Sequence, residues 1–130
     1  ECAQVLHNNN IPFVVVEEKN EMPDDLPFKV DYFMKGDATK DETLHEAGIE
    51  HARAIIATMP IDADNLFMVL TARQLNPNIT IISRASQDSS VGKLKIAGAN
   101  NVIMPDKIGG AQMATLVLNP DVQEMIALMA

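Results

Sequence analysis

Four short runs rich in β-branched apolar residues restrict the fold of this chain more than any other feature. Each run is unbroken rather than alternating, which is typical of strands covered on both faces, as in a parallel sheet. Segments of helical periodicity separate the runs, and this alternation predicts right-handed β-α-β crossovers. The predicted fold class is α/β, an open doubly wound parallel sheet, with a further edge strand at 30–34. The four runs are FVVV at 13–16, AIIA at 54–57, TIIS at 80–83 and NVIM at 101–104.

The sequence also contains signals for where the helices begin. Thr39 and Glu42 have the spacing of a capping box, in which each side chain bonds a free amide of the first turn. Asp62 is expected to cap the next helix, and either Ser86 or Asp88 the one after it. The helix that Asp62 starts would then carry Asn65, exposed, on its first turn.

Length and charge exclude several classes of protein. A chain of 130 residues can hold one domain with a full hydrophobic core, and we expect a single domain over 1–130. Its net charge of -8 argues against a nucleic-acid partner, because phosphate binding needs a basic surface. No apolar run approaches the ~18 residues that span a bilayer, so direct membrane insertion is not expected. The single cysteine, Cys2, excludes an internal disulfide and fits a cytoplasmic protein.

Ligands of open α/β sheets bind beyond the carboxyl ends of the strands. Glu17 and Glu18 end the first strand, where an acid can accept hydrogen bonds from a ribose diol; the alternative is two solvated glutamates. After the second strand, Gly36 would let the backbone approach a flat ligand. Asp37 would either accept a hydrogen bond from an adenine amino group or begin the turn that leads to Thr39. Position alone favours the second role.

The third and fourth strand ends supply further candidates. The stretch IDADN at 61–65 resembles a calcium loop through its alternate acids, but Leu66 and Phe67 stand where another ligand and a glycine are needed. Arg84 ends the fourth strand. There it could bind a phosphate, bind a partner's carboxylate or have a purely structural role. The histidines have no second ligand at metal spacing and the serines no nucleophile-elbow context. No metal site and no enzyme activity are therefore predicted.

One absence bears on both fold and ligand. A dinucleotide-binding fold of the Rossmann type opens with a strand and a G-x-G-x-x-G turn that holds the pyrophosphate. The first glycine of this chain is Gly36, and the chain opens as the end of a helix that leads into a second strand. We therefore expect a Rossmann-like sheet that is N-terminally truncated and lacks its central strand. The first strand should then pair directly with the third, or border a gap that another chain fills, because a bare strand edge is costly.

Three stretches together carry a specific resemblance: NNNIPFVVVEEKN, KGDATKDETLHEAGIEHARAIIATMPIDADNLFMVLTARQLNPNITIISRAS and KLKIAGANNVIMPDKIGG. They resemble the RCK/TrkA-N (KTN) domain, the cytoplasmic regulatory domain of prokaryotic potassium channels and potassium uptake systems. The resemblance covers almost the whole chain. It implies a regulatory module, not an enzyme, that binds NAD(H), ATP, ADP or AMP. It also implies homodimers within a ring, attached to a potassium channel or transporter subunit at the inner face of the cell membrane.

The resemblance assigns the adenosine half of the ligand to the first two strand ends. By position, Glu17 or Glu18 corresponds to the ribose-binding acid. Gly36, Asp37 and Ala38 correspond to the segment beside the adenine. The glycine loop that would hold the phosphates has no counterpart in this sequence.

The resemblance assigns the remaining contacts to the third and fourth strand ends. Thr58 would lie next to the ligand, Asn65 would face the phosphates, and Arg84 would lie at the ligand or dimer edge. Some members of the family are gated by calcium through acids at these ends. The matching positions here are Thr58, Arg84 and Ser86, none of them a carboxylate, so a calcium site of that type is not expected.

Two other functions stay open. A fragment of an NAD-dependent oxidoreductase would share the fold and the ribose acid, but would need a second domain with a proton donor. An assembly module that has lost its ligand is the third reading.

In addition, the C-terminal helices carry more apolar surface than one sheet face needs, which predicts a dimer contact there. The residues concerned are Ile108, Met113, Leu116, Val117, Val122, Met125, Ile126 and Met129.

Overall fold

The computed structural model describes residues 2–17 and 33–119. Within these ranges helices and strands alternate along most of the chain, and a 3-10 turn at Ile49–His51 precedes the third strand. The predictions for Glu18, for residues 30–32 of the edge strand and for the helix after Asn119 lie outside the described residues. In chain order the elements are α1 (Cys2–Asn8), β1 (Val15–Glu17), β2 (Phe33–Lys35), α2 (Asp41–Glu46), β3 (Ala54–Ala57), α3 (Asp62–Leu75), β4 (Thr80–Arg84), α4 (Asp88–Ala97), β5 (Asn101–Ile103) and α5 (Pro105–Leu118).

The strands confirm the predicted α/β class with parallel pairing. β1 pairs with β2 in parallel, and β3, β4 and β5 form a second parallel ladder with β4 in the centre. β3 coincides with the predicted run at 54–57. β1 begins two residues later than its run at 13–16, because the ladder pairs Val15 with Phe33 and leaves Val14 42% exposed.

The prediction that the first strand pairs directly with the third is wrong for the described residues. β1 forms its ladder with β2, and β3 forms its ladder with β4. Direct pairing would bring β1 and β3 to the ~4.8 Å spacing of neighbouring strands, and the two ladders stay separate instead. Each of these strands therefore has one edge that no described strand pairs. That a strand from another chain or segment lies between them stays a prediction.

The hydrophobic core lies where α3 and α4 pack on the β3–β4–β5 sheet. Val69 and Ala72 of α3 and Ile81 of β4 are 0% exposed, and Leu94 of α4 is 1% exposed. Leu44 of α2 belongs to the same buried cluster, so the helix after β2 is anchored on the same core. Burial of this kind contributes roughly 1.5–3 kcal/mol for each large aliphatic side chain.

The helix starts differ from the predicted caps. Lys40, Ile61 and Gln87 occupy the N-cap positions of α2, α3 and α4, and none of them makes a side-chain capping bond. The capping box of Thr39 is wrong because its hydroxyl donates to Asp37 instead. Asp62 does not cap its own helix, because it accepts the backbone amides of Ser86 and Gln87, just before α4. Neither Ser86 nor Asp88 caps α4, because Gln87 holds its N-cap position.

The guanidinium group of Arg73 forms hydrogen bonds at the edge of the sheet where β4 and β5 begin. Arg73, in the last turn of α3, donates Nη1 to the carbonyls of Pro77 and Ile79, each at 2.7 Å. Its Nη2 donates to the carbonyl of Gly98 at 2.7 Å and to Oδ1 of Asn100 at 2.9 Å. The same Asn100 oxygen accepts the backbone amide of Ile81 at 2.7 Å. One side chain thus connects α3 to the turns that precede β4 and β5.

Gly98 permits this contact. It ends α4 with a φ of 125°, and a Cβ built there would lie 2.9 Å from Cγ of Arg73.

We expect Gly98→Ala to lower the free energy of unfolding by about 2–3 kcal/mol, through backbone strain and the clash with Arg73. Gly92→Ala, inside α4 with no atom within 4 Å of the new Cβ, is the control and should stabilise by about 0.5–1 kcal/mol. Urea unfolding of the two variants measures both changes in the free energy of unfolding. Equal effects of the two substitutions would contradict this account of Gly98.

Candidate functional site

The carboxyl ends of the first two strands form one part of the candidate site. The amide of Gly36 donates to the carbonyl of Glu17 at 3.0 Å, which extends the β1–β2 ladder to the last residue of β1. A Cβ at Gly36 would lie 2.7 Å from Cγ2 of Thr43 in α2. The structure therefore gives Gly36 a packing role against α2. The closer approach of a ligand, for which the sequence favoured glycine, stays a prediction.

Asp37 starts the turn that leads from β2 to α2. Its Oδ1 accepts the backbone amide of Thr39 at 2.9 Å and the Thr39 hydroxyl at 2.6 Å, with Ala38 between them. The bond from the Thr39 hydroxyl, then that from its amide, lowers the pKa of the Asp37 carboxyl below its ordinary value. Of the two roles predicted for Asp37, the turn is the one the structure contains. Oδ2 accepts no hydrogen bond from the described residues, and its contact with a ligand stays a prediction.

Asn65 holds together the ends of β3 and β4. Its Oδ1 accepts the amide of Met59 at 3.0 Å, and its Nδ2 donates to the carbonyls of Met59 at 2.9 Å and Arg84 at 3.2 Å. The side chain is 0% exposed, so the prediction that Asn65 is exposed is wrong. A buried amide is stable here because backbone partners satisfy it. A phosphate contact from Asn65 would have to displace one of these bonds.

Asp62 is a residue of this site that the sequence analysis assigned wrongly. Both carboxylate oxygens accept the amide of Ser86, at 2.9 and 3.0 Å, and Oδ2 also accepts the amide of Gln87 at 3.2 Å. Partial burial favours the neutral acid, but bonds from the Ser90 hydroxyl and from the Ser86 and Gln87 amides together lower the pKa of Asp62. No local pattern of the sequence indicates this role, because the partners of Asp62 lie 24 and 25 residues away.

Arg84 and Thr58 complete the set of predicted residues. Thr58 follows β3 and is exposed, one residue before the Met59 backbone that Asn65 binds. Arg84 ends β4 half-buried, and its Nε is a buried donor without a hydrogen-bond partner among the described residues. Buried donors without a partner are rare in folded proteins. The structure thus brings Thr58, Asn65 and Arg84 into one cluster, and Glu17 and Gly36 into another.

These residues fit an adenine nucleotide in chemical type. Two carboxylates, Glu17 and Asp37, end or follow paired strands where a ribose diol or an adenine amino group would donate. The unsatisfied Nε of Arg84 would suit an anionic group of the same ligand. Within 2–17 and 33–119, no three His, Cys, Asp or Glu side chains are grouped as a metal site requires. The absence of a calcium site stays a prediction.

The parallel strands, their alternating helices and the residues at the strand ends place this chain in the class of Rossmann-like domains. More specifically, the chain belongs to the TrkA-N domain family, whose model matches residues 1–105. The predicted resemblance is thereby confirmed. That one domain extends over 1–130 stays a prediction, because the family match ends at 105 and 120–130 lie outside the described residues.

Curated relatives contain a similar sequence as part of longer proteins. Probable potassium channel protein 2 of Methanocaldococcus jannaschii is 43% identical over 126 residues, covering 91% of this chain and 35% of the relative. Potassium channel protein 1 of the same organism is 38% identical over 126 residues, covering 95% of this chain and 38% of the relative. The chain therefore spans little more than a third of the length of these relatives.

Solved structures share the fold. The TrkA-N domain of the inner membrane protein YbaL from Escherichia coli is 31% identical, with a TM-score of 0.81 over 88% of this chain and 85% of that one. The GsuK channel bound to NAD is 33% identical, with a TM-score of 0.79 over 92% of this chain and 21% of that one. GsuK bound to ADP is 34% identical, with a TM-score of 0.77 over 88% and 30%.

None of the helices among the described residues combines the length and the apolar character that a membrane span requires.

Proposed function

We propose that this chain is a ligand-sensing regulatory domain that controls potassium transport by binding an adenine nucleotide. The observation that carries the proposal is the pair of carboxylates, Glu17 and Asp37, at the ends of the paired strands β1 and β2. The unsatisfied Nε of Arg84 supports an anionic ligand at the end of β4. The sequence identity of 33% and 34% to NAD-bound and ADP-bound GsuK supports this class of ligand.

In this proposal Glu17, with Glu18 beside it, binds the ribose, and Gly36, Asp37 and Ala38 border the adenine. Thr58, Asn65 and Arg84 lie toward the phosphate end of the ligand. Asn65 contributes there by fixing the loop around Met59 through its hydrogen bonds. The ligand favours one arrangement of a homodimer or larger ring, and a channel or transporter subunit at the inner face of the membrane responds. The proposal includes no catalytic step for this chain.

A thermal-shift screen tests the proposal. The protein is heated alone and with saturating NAD, NADH, ATP, ADP or AMP. A ligand at 100 times its Kd adds about 2.7 kcal/mol of stability, which is a measurable rise in Tm. No shift with any of the five nucleotides would refute the proposal and favour an assembly module. Oxidation of NADH by the protein with a carbonyl substrate would favour an oxidoreductase fragment.

NADP is expected to bind at least roughly tenfold more weakly than NAD, because its 2′-phosphate would face the carboxylate of Glu17. Glu17→Gln should reduce this discrimination by removing the like charge. Competition titrations of both cofactors against both proteins measure the ratio. Equal binding of NADP and NAD by the unsubstituted protein would contradict the role of Glu17.

The proposed dimer contact lies on α5. This helix has no buried residue among the described ones, and its apolar side chains Ile108, Met113 and Val117 are 57%, 66% and 82% exposed. We expect Val117→Glu to convert a dimer into a monomer with the chain mass of 14.2 kDa, because a charge would enter an apolar contact.

Light scattering at matched concentrations measures the change, with Gln112→Glu on the same helix as the control that adds equal charge. A monomeric unsubstituted protein, or a Val117→Glu protein that stays dimeric, would contradict the contact.

A further inference from the structure

The first turn of α3 holds the chain around Arg84 at two points. Asn65 binds the carbonyl of Arg84 itself, at 3.2 Å. Asp62, one turn earlier on the same helix, accepts the amides of Ser86 and Gln87, the second and third residues after Arg84. The residue between, Ala85, is 1% exposed and donates its amide to the carbonyl of Ile103 at 2.9 Å. The backbone from 84 to 87 is therefore fixed at every residue.

The two holding bonds differ in kind. Asn65 is buried and neutral, and its bonds are those of a core amide. Asp62 is partly exposed and charged, and its partners are the amides of Ser86 and Gln87, just before α4, and the hydroxyl of Ser90 in the first turn of α4. A carboxylate near the N-terminus of a helix also interacts favourably with the helix dipole.

We propose that Asp62 is a positioning residue for the nucleotide site: its carboxylate fixes the turn from β4 to α4 and so holds Arg84 where a ligand anion meets it. This inference rests on the proposed function and extends it to a residue that would not touch the ligand. The turn at 86–87 is the connection between the ligand end of β4 and α4, so Asp62 couples ligand binding to the position of α4. A binding site is sensitive to such support because small displacements of a bonding group lose affinity.

Two substitutions and one control test the inference. Asp62→Asn keeps the size of the side chain but removes the charge and one of the two acceptors. Asp62→Ala removes the whole contact. Asp64→Asn is the matched control, because Asp64 lies on the same helical turn and carries the same charge, while its side chain makes no hydrogen bond with the described residues. NAD affinity is measured by titration calorimetry well below the Tm of each protein, so that a loss of stability alone does not change it.

The two Asp62 variants are expected to bind NAD roughly five- to twentyfold more weakly, while Asp64→Asn stays within about twofold of the unsubstituted protein. Amide hydrogen exchange distinguishes a positioning role from a purely structural one, because a purely structural role would leave the effect of NAD on exchange unchanged. In the unsubstituted protein, NAD should slow the exchange of the Ser86 and Gln87 amides, and in Asp62→Asn this effect of NAD should be lost.

Three results would overturn the inference. One is an unchanged affinity in both Asp62 variants, and another is an equal loss in Asp64→Asn, which would indicate a general effect of charge. The third is a loss of affinity with unaltered exchange at Ser86 and Gln87, because Asp62 would then act on the ligand directly. If the unsubstituted protein binds none of NAD, NADH, ATP, ADP and AMP, the proposed function fails together with this inference. If it binds NAD and the Asp62 variants bind equally well, this inference alone fails.

Discussion

Arg73→Ala is expected to lower the free energy of unfolding by about 3 kcal/mol, the largest effect on stability that we expect from a single side chain. The guanidinium donates to the carbonyls of Pro77, Ile79 and Gly98 and to the side chain of Asn100. Hydrogen bonds from a charged donor contribute more than neutral ones, and their loss leaves four acceptors to find other partners. The turns that precede β4 and β5 would lose their connection to α3.

Two further substitutions make this result specific. Arg73→Lys should recover only part of the stability, because a single ammonium group cannot reach the positions of a planar guanidinium fork. Arg53→Ala, at an exposed position before β3, removes the same side chain where none of the described residues bonds it, and should change stability by less than about 0.5 kcal/mol. Urea unfolding of the three variants gives the comparison. An Arg73→Ala protein as stable as Arg53→Ala would contradict the role of Arg73.

The sequence predicted the positions of the strands better than their burial. The run AIIA at 54–57 has no polar side chain, which favours a strand, and β3 has those bounds, but only Ala57 of its four residues is buried. The strand limits were less accurate at β1, where the three valines at 14–16 are equally apolar. There the ladder with β2, which the sequence does not specify, determines that pairing begins at Val15.

The polar residues of the site were predicted less well, because their partners are distant in sequence. Capping rules consider hydrogen-bond partners within three or four residues, whereas Asp62 accepts amides 24 and 25 residues away. Asn65 was predicted as exposed because asparagine is usually on the surface. Its bonds to residues 6 and 19 positions away make burial stable, and only the folded chain brings those partners together. The bonds of Arg73 to residues 25 and 27 positions away were missed for the same reason.

The second large effect concerns the ligand. Asp37→Asn is expected to lower the affinity for NAD and ADP roughly ten- to a hundredfold. The reason is that an amide would replace the carboxylate whose oxygen accepts a hydrogen bond from the adenine amino group. The asparagine can present its own Oδ1 to the amide and hydroxyl of Thr39, which now bond Oδ1 of Asp37 at 2.9 and 2.6 Å. The turn before α2 should therefore persist, and the Tm without ligand should change little.

Asp41→Asn is the matched control for this substitution. Asp41 begins α2 four residues later, is exposed, and loses the same charge on substitution. A general effect of net charge on an anionic ligand would appear equally in both variants, whereas a specific contact would appear in Asp37→Asn alone.

The most direct measurement is a calorimetric titration of NAD into the unsubstituted protein, Asp37→Asn and Asp41→Asn under one set of conditions. We predict binding by the unsubstituted protein and by Asp41→Asn with Kd values within about twofold, and a Kd roughly ten- to a hundredfold higher for Asp37→Asn. Equal NAD affinity in all three proteins would contradict the assignment of an adenine site to the ends of β1 and β2. No binding by the unsubstituted protein of NAD or of any of NADH, ATP, ADP and AMP would contradict the nucleotide-sensing function itself.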